Sequence, residues 1–198
     1  INSDIFGSQT SANYANDTLN ASMQKVKIEN ILSALGYEKF YLGLANTNFK
    51  YNLKNAVGEF DADVLEGKLA QNGLTQLINA VFKRDITNEV YENGKVYGTI
   101  NKNYITINAK ISSPKSNISI EKGTINSATK TLNIPLKANF EKTDLSINIT
   151  GTTDKPKYNV KSDYLQEKVI NKAFDKLIKN DEKRENTKQI LNDLKGLF

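Results

Sequence analysis

The sequence predicts an α+β fold that is mostly β: a curved antiparallel meander sheet with one apolar face, two short helices and a C-terminal helical tail. Three observations predict it. Residues 90–160 alternate apolar and polar positions with a period of two, interrupted by turn-forming pairs. Two shorter segments change to a spacing of three and four, the period of a helix with one buried stripe. Beyond residue 163, apolar side chains fall into two i, i+4 rows among lysines and carboxylates.

The elements follow in chain order. Residues 1–21, rich in Asn, Ser, Thr and Ala, show little periodicity and are expected to form a frayed N-terminal segment. Residues 22–162 are expected to form the sheet domain. Val26 and Ile28 suggest a short strand, and Ile28, Ile31, Leu32 and Leu35 then mark a helix near 29–36, with Gly36 placed to cap it. From Phe40 to Leu65 the period returns to two: Phe49, Tyr51 and Leu53 share one face, and Phe60, Ala62 and Val64 another. Leu74, Leu77, Ile78, Val81 and Phe82 place a second helix near 73–83. Asn93-Gly94 reads as a two-residue hairpin turn, because both residues tolerate positive φ. The alternating runs Ile105–Ile111, Ile118–Ile120, Leu132–Phe140 and Leu145–Ile149 follow, and Pro135 inside one of them predicts a sheet edge or a bulge. Residues 163–198 read as an amphipathic tail, with Leu165, Val169, Ala173 and Leu177 in one row and Ile170, Phe174 and Ile178 in the next.

Composition narrows the chemistry. The 198 residues carry a net charge of +5 and contain neither cysteine nor histidine. Disulfides, thiolate nucleophiles, imidazole bases and ordinary zinc sites are therefore excluded. Of the 27 cations only Arg84 and Arg184 are arginines, and the lysines are scattered among 22 carboxylates. Nucleic-acid binding, which favours arginine and a concentrated basic stripe, is not expected. Asp61 and Asp63 share a strand face, and their pairing reads as a solvent face rather than as acid–base chemistry. No phosphate loop, dinucleotide fingerprint or nucleophile elbow occurs. No enzyme activity, cofactor or metal is expected.

The remaining question is what covers the apolar face. About seven strands at ~4.8 Å spacing and ~20 Å length present roughly 670 Å², whereas a long helix of about 18 residues covers only about 270 Å². A tight core, a dimer interface and a groove for an apolar ligand all remain open on area alone. The chain begins at Ile1 rather than Met, so it is expected to be part of a longer or processed protein whose signal peptide or anchor lies upstream.

A resemblance adds a functional expectation. A helix starting at Asn72 to Ile78, then the run from Gly123 to Leu132, leads to the stretch from Leu145 through Gly151 and Pro156 to Val160, which resembles the closing strand of the AsmA-like and TamB-like proteins, and the ending Leu194–Phe198 is similar to that family's usual terminus. The resemblance spans about Phe49 to Phe198. It implies a periplasmic segment tethered to the bacterial inner membrane. There a β-sheet groove would bind or conduct phospholipid acyl chains toward the outer membrane. Groove-lining candidates are then Phe60, Val64, Ile105, Ile107, Ile111, Ile118, Ile120, Ile134, Leu136, Leu145, Ile147 and Ile149. Leu165, Val169, Ala173, Phe174 and Leu177 would dock or cap through the tail. Phospholipid or another lipid is the expected partner. The alternative is a structural module that assists outer-membrane assembly by binding an outer-membrane or other envelope protein.

Overall fold

The computed structural model describes residues 2–3, 8–141 and 143–161. They form one antiparallel sheet of eleven strands whose spatial order is the chain order, and the first and last strands do not pair. The strands are β1 (Asn2–Ser3), β2 (Gln9–Ala15), β3 (Thr18–Lys27), β4 (Tyr41–Asn52), β5 (Val57–Leu69), β6 (Asn93–Asn101), β7 (Tyr104–Ser112), β8 (Ser116–Asn126), β9 (Thr131–Phe140), β10 (Thr143–Thr152) and β11 (Lys155–Lys161). Helix α1 (Ile28–Ala34) joins β3 to β4, and α2 (Gly73–Phe82) with a 3-10 turn (Ile86–Asn88) joins β5 to β6. The mostly β meander with two short helices is the architecture the alternation predicts. The amphipathic tail falls outside the described residues.

A meander reverses at alternate ends. The hairpins β2–β3, β4–β5, β6–β7, β8–β9 and β10–β11 turn at one end, the turn end. Both helices lie at the other, the helix end. Pairing registers bring like faces together across many strands. Val26, Ala45, Val64, Gly94, Ile111, Ile118, Ala138 and Leu145 form one continuous cross-strand row. That row lies near the helix end, where α2 sets Leu77, Ile78 and Val81 into the core with Ile86, Tyr91, Leu136, Phe140, Ile147 and Ile149. The α2 side chain of Phe82 meets Phe140 with ring centroids 5.8 Å apart. At the other end of the helix, Gly73 faces Tyr158 of β11. The C-terminal strands β9 and β11 therefore reach α2, one at each end of the helix.

The helix starts where its donors are satisfied. Asn72 Oδ1 accepts from the Thr75 N–H at 3.0 Å, and Thr75 Oγ1 accepts from the Asn72 N–H at 2.9 Å, a reciprocal capping box. Its end is set by Lys83 in the left-handed region, φ 54°.

Bulges bend the sheet. In β3 the register shifts between Met23 and Val26, and in β8 between Ile120 and Thr124. Each bulge holds a lysine at positive φ, Lys25 at 52° and Lys122 at 54°. A neighbouring asparagine satisfies each displaced donor: the Lys25 N–H donates to Asn46 Oδ1 at 3.0 Å, and the Lys122 N–H to Asn108 Oδ1 at 2.9 Å. Bulges of this kind increase twist and curvature. Pro135 lies opposite the β8 bulge, where the register passes from Leu136 to Asn133, so its missing N–H falls where the ladder is already broken.

Three elements differ from expectation. The segment 1–21 is not frayed throughout, because Gln9–Ala15 and Thr18–Lys27 pair along their length and continue the sheet. Ile28 opens α1 rather than sharing a strand with Val26. Asn93-Gly94 is not a hairpin turn but the start of β6. Gly94 is needed there for space: a Cβ would lie 2.6 Å from Ile111 Cγ2 and 3.0 Å from Val64 Cβ. The chain actually enters this strand through Tyr91, which exchanges both backbone hydrogen bonds with Gly67, at 3.1 and 2.9 Å.

Candidate functional site: an apolar trough

The inner face changes character along its strands. Under α2 it is a closed core; toward the turn end it is half open. Two further cross-strand rows occupy the open part. One runs Ala12, Ala21, Phe49, Phe60, Gly98, Ile107 and Gly123. The next, closer to the turns, runs Tyr14, Leu19, Tyr51, Gly58, Ile100, Ile105, Ile125 and Leu132. Neither row contains a charged side chain, and apart from the buried Gly98 and Gly123 and the exposed Tyr14 each member is half-buried. The outer row crosses eight strands, about 34 Å at ~4.8 Å per strand. The ten-residue α2 is only about 15 Å long, so it covers one end of the curved face and leaves a trough beside it.

The twelve residues expected to line a groove all lie on this inner face, but they divide between its two parts. Val64, Ile118, Leu136, Leu145, Ile147 and Ile149 are buried and belong to the core with α2. Phe60, Ile105, Ile107, Ile111, Ile120 and Ile134 are half-buried and face the trough or its margin. Leu165, Val169, Ala173, Phe174 and Leu177 lie outside the described residues. The trough residues Tyr14, Leu19, Phe49, Tyr51, Ile100, Ile125 and Leu132 are not among those twelve. Phe49 and Tyr51 do show a visible alternation. Tyr14 and Leu19 are hidden by the Asn, Ser and Thr residues around them.

Glycines shape the trough floor. At Gly98 an added Cβ would overlap the Phe60 ring, so the ring lies across the β6 backbone. At Gly123 a Cβ would come within 2.9 Å of Ile120 and 3.1 Å of Ile107. The aromatic and aliphatic walls thus lie low against the backbone instead of standing on further side chains.

Polar groups at the helix end are buried around tyrosines. The Ser116 hydroxyl donates to the Tyr91 hydroxyl at 3.1 Å, and Ser113 bridges Ser116 and Glu89 at 2.9 and 3.3 Å. Burial, with smaller contributions from Tyr91 and Glu66, pushes Tyr41 up to about 12. Burial and the nearby Glu38 do the same to Tyr158, also to about 12. Burial thus holds both phenols in the neutral form.

The charges stand on the outer face. Lys50 pairs with Glu59 at 3.9 Å, Lys95 with Asp63 at 3.6 Å and Lys137 with Glu121 at 3.6 Å, each across adjacent strands. Asp61 accepts from Asn48 Nδ2 at 3.1 Å. Asp61 and Asp63 are thus outer-face residues with cross-strand partners. A depression of about 400 Å³ on this side is lined by polar groups including Asn13, Asn20, Asn48 and Lys50. Among the described residues no cluster of three or more carboxylates gathers as a metal site, and no helix is long and apolar enough to cross a membrane.

No family model, curated protein or solved structure matches this chain.

Proposed function

We propose that the protein is a non-enzymatic component of a bacterial envelope that holds lipid acyl chains in the trough. The observation that carries this reading is the pair of uncharged cross-strand rows, half-buried beside α2 and continuous over most of the sheet. A face of this kind gains free energy only from an apolar occupant. Each methylene it removes from water contributes ~0.8 kcal/mol. A chain from one leaflet spans about half of the ~30 Å hydrocarbon core, so the ~34 Å row accepts one chain readily and has length for two end to end. The sheet supplies the long wall, α2 closes one end, and the outer face of lysine, asparagine and threonine stays in water. Binding is passive and needs neither cofactor nor metal.

The resemblance of the Asn72–Ile78 and Leu145–Val160 segments to AsmA-like proteins supports a periplasmic setting and phospholipid movement between the inner and outer membranes. Residues Phe60, Ile105, Ile107 and Ile134, with Phe49, Ile100, Ile125 and Leu132 beside them in the trough, would contact the lipid. The alternative role, assisting outer-membrane assembly, draws on the outer edge of β11, which pairs only with β10 among the described residues.

Native mass spectrometry of the purified chain, before and after incubation with a phospholipid extract, tests the lipid reading. Stoichiometric bound phospholipid that is lost in Ile107→Asp supports it. Absence of lipid in both preparations overturns it.

A further inference from the structure

The five hairpin turns at the turn end are not separate loops. The Leu53 N–H donates to Asp17 O at 2.8 Å, the Lys102 N–H to Ala56 O at 2.7 Å, the Ser127 N–H to Asn103 O at 2.8 Å and the Thr153 N–H to Lys130 O at 3.0 Å. Each turn is thereby bonded to the next, and the tips form one continuous rim along the mouth of the trough. With two strands between successive tips, the rim is about 38 Å long.

Its composition is that of a surface meeting both water and hydrocarbon. Tyr14 is 58% exposed, Leu53 54%, Val57 39% and Tyr104 63%, and each lies in a tip or within two residues of one. The charged residues of the tips are Lys54, Lys102 and Lys130, with Lys155 directly after one, against Asp17 and Asp154. Lys130 and Asp154 pair at 2.9 Å, so the balance of the rim is positive. Tyrosine places an apolar ring and a polar hydroxyl at the level of lipid head groups. Lysine lays its stem along apolar surface while its ammonium reaches anionic phosphates.

We propose that this rim docks on an anionic phospholipid bilayer, Leu53 and the tyrosines entering the head-group layer and Lys54 and Lys102 meeting lipid phosphates. The open end of the trough then faces the membrane, so that an acyl chain passes from the bilayer to the inner-face rows without crossing water. The role assigned to the rim rests on the proposed lipid binding, but the contact itself is measured separately from lipid uptake.

The chain has no tryptophan, so a single introduced indole reports its own surroundings. Leu53→Trp in the full chain is mixed with vesicles of phosphatidylethanolamine and phosphatidylglycerol. A blue shift in emission, with quenching by brominated acyl chains, is the expected result. Phe40→Trp probes an exposed apolar group at the helix end and is expected not to respond; a response there in place of Leu53→Trp overturns the proposal. So does unchanged Leu53→Trp emission with vesicles that sediment the protein, or a failure of the chain to bind them at all. In a second measurement, Lys54→Gln with Lys102→Gln weakens vesicle binding roughly 30-fold, about fivefold for each lysine. An unchanged affinity removes the electrostatic part of the proposal. If Leu53→Trp enters the bilayer but no lipid accompanies the purified chain, the rim stands and the acyl-chain function falls. If lipid is bound while Leu53→Trp stays silent, the acyl-chain function stands and the rim falls.

Discussion

The ring of Tyr41 lies against Gly67 on the adjacent strand so closely that a Cβ at the glycine would overlap ring atom Cε1 and the carbonyl oxygen of Leu42. Gly67→Ala therefore has to move either a buried ring or the β4 backbone, and it should lower stability by about 1–3 kcal/mol. Urea denaturation read by far-UV circular dichroism checks this through the midpoint.

The hydroxyl groups of two buried tyrosines make opposite predictions. Among the described residues Tyr41 Oη has no hydrogen-bond partner, whereas Tyr91 Oη accepts from Ser116. Tyr41→Phe should be neutral or stabilising, since it removes a desolvated group that gains nothing from folding. Tyr91→Phe leaves the Ser116 hydroxyl one partner short and should cost about 1 kcal/mol. The two variants differ from wild type by one oxygen each, so the contrast in their midpoints isolates the bond.

Alkaline pH should weaken the fold through Tyr41 and Tyr158, both pushed up to about 12 by burial. Below pH 10 the phenols are neutral in the folded and unfolded chains alike, and their contribution to stability is fully present. Between pH 10 and about 12 the unfolded chain loses these protons first, which favours unfolding. Stability thus falls through that window. Tyr41→Phe with Tyr158→Phe should flatten the decline relative to wild type, as read from denaturation midpoints at successive pH values.

Two isoleucines on the same sheet face should behave differently. Ile147 is 2% exposed and belongs to the core with α2, so Ile147→Ala should cost about 2–5 kcal/mol. Ile107 is half-buried in the trough, and Ile107→Ala should cost less than half as much while reducing lipid retention. Thermal denaturation, paired with lipid extraction from the purified variants, separates the two roles.

Helix α2 depends on its first turn. Asn72→Ala removes the acceptor of the Thr75 N–H and one half of the capping box, at about 1 kcal/mol. Hydrogen exchange should then accelerate in Gly73–Phe82 more than in the central strands β7 and β8.

The sheet and α2 were legible because their signals are local. Ile105, Ile107, Ala109 and Ile111 alternate within nine residues, and Leu74, Leu77, Ile78 and Val81 mark a single stripe. Long-range registers carry no comparable local signal. Ala12, Ala21 and Phe49 share a cross-strand row, yet β2 and the first residues of β3 read as frayed because alanine, serine and asparagine give little contrast between faces. Asn93-Gly94 has the chemistry of a tight turn, but Gly94 is set by the volumes of Val64 and Ile111 on the two neighbouring strands. Alternation also located the inner face of all twelve groove candidates without dividing core from trough. That division depends on how far α2 reaches along the strands, and a ten-residue helix reaches only part of the way.

Strand order that equals chain order has an evolutionary consequence. Inserting or deleting one hairpin changes no other pairing and no crossover, because each strand needs only its two neighbours in sequence. Every duplicated hairpin would lengthen the apolar inner wall by about 10 Å. It would also add one more tip to the rim. Gene duplication in units of two strands could therefore tune the length of wall and rim together, while α2 stays over the strands it already covers.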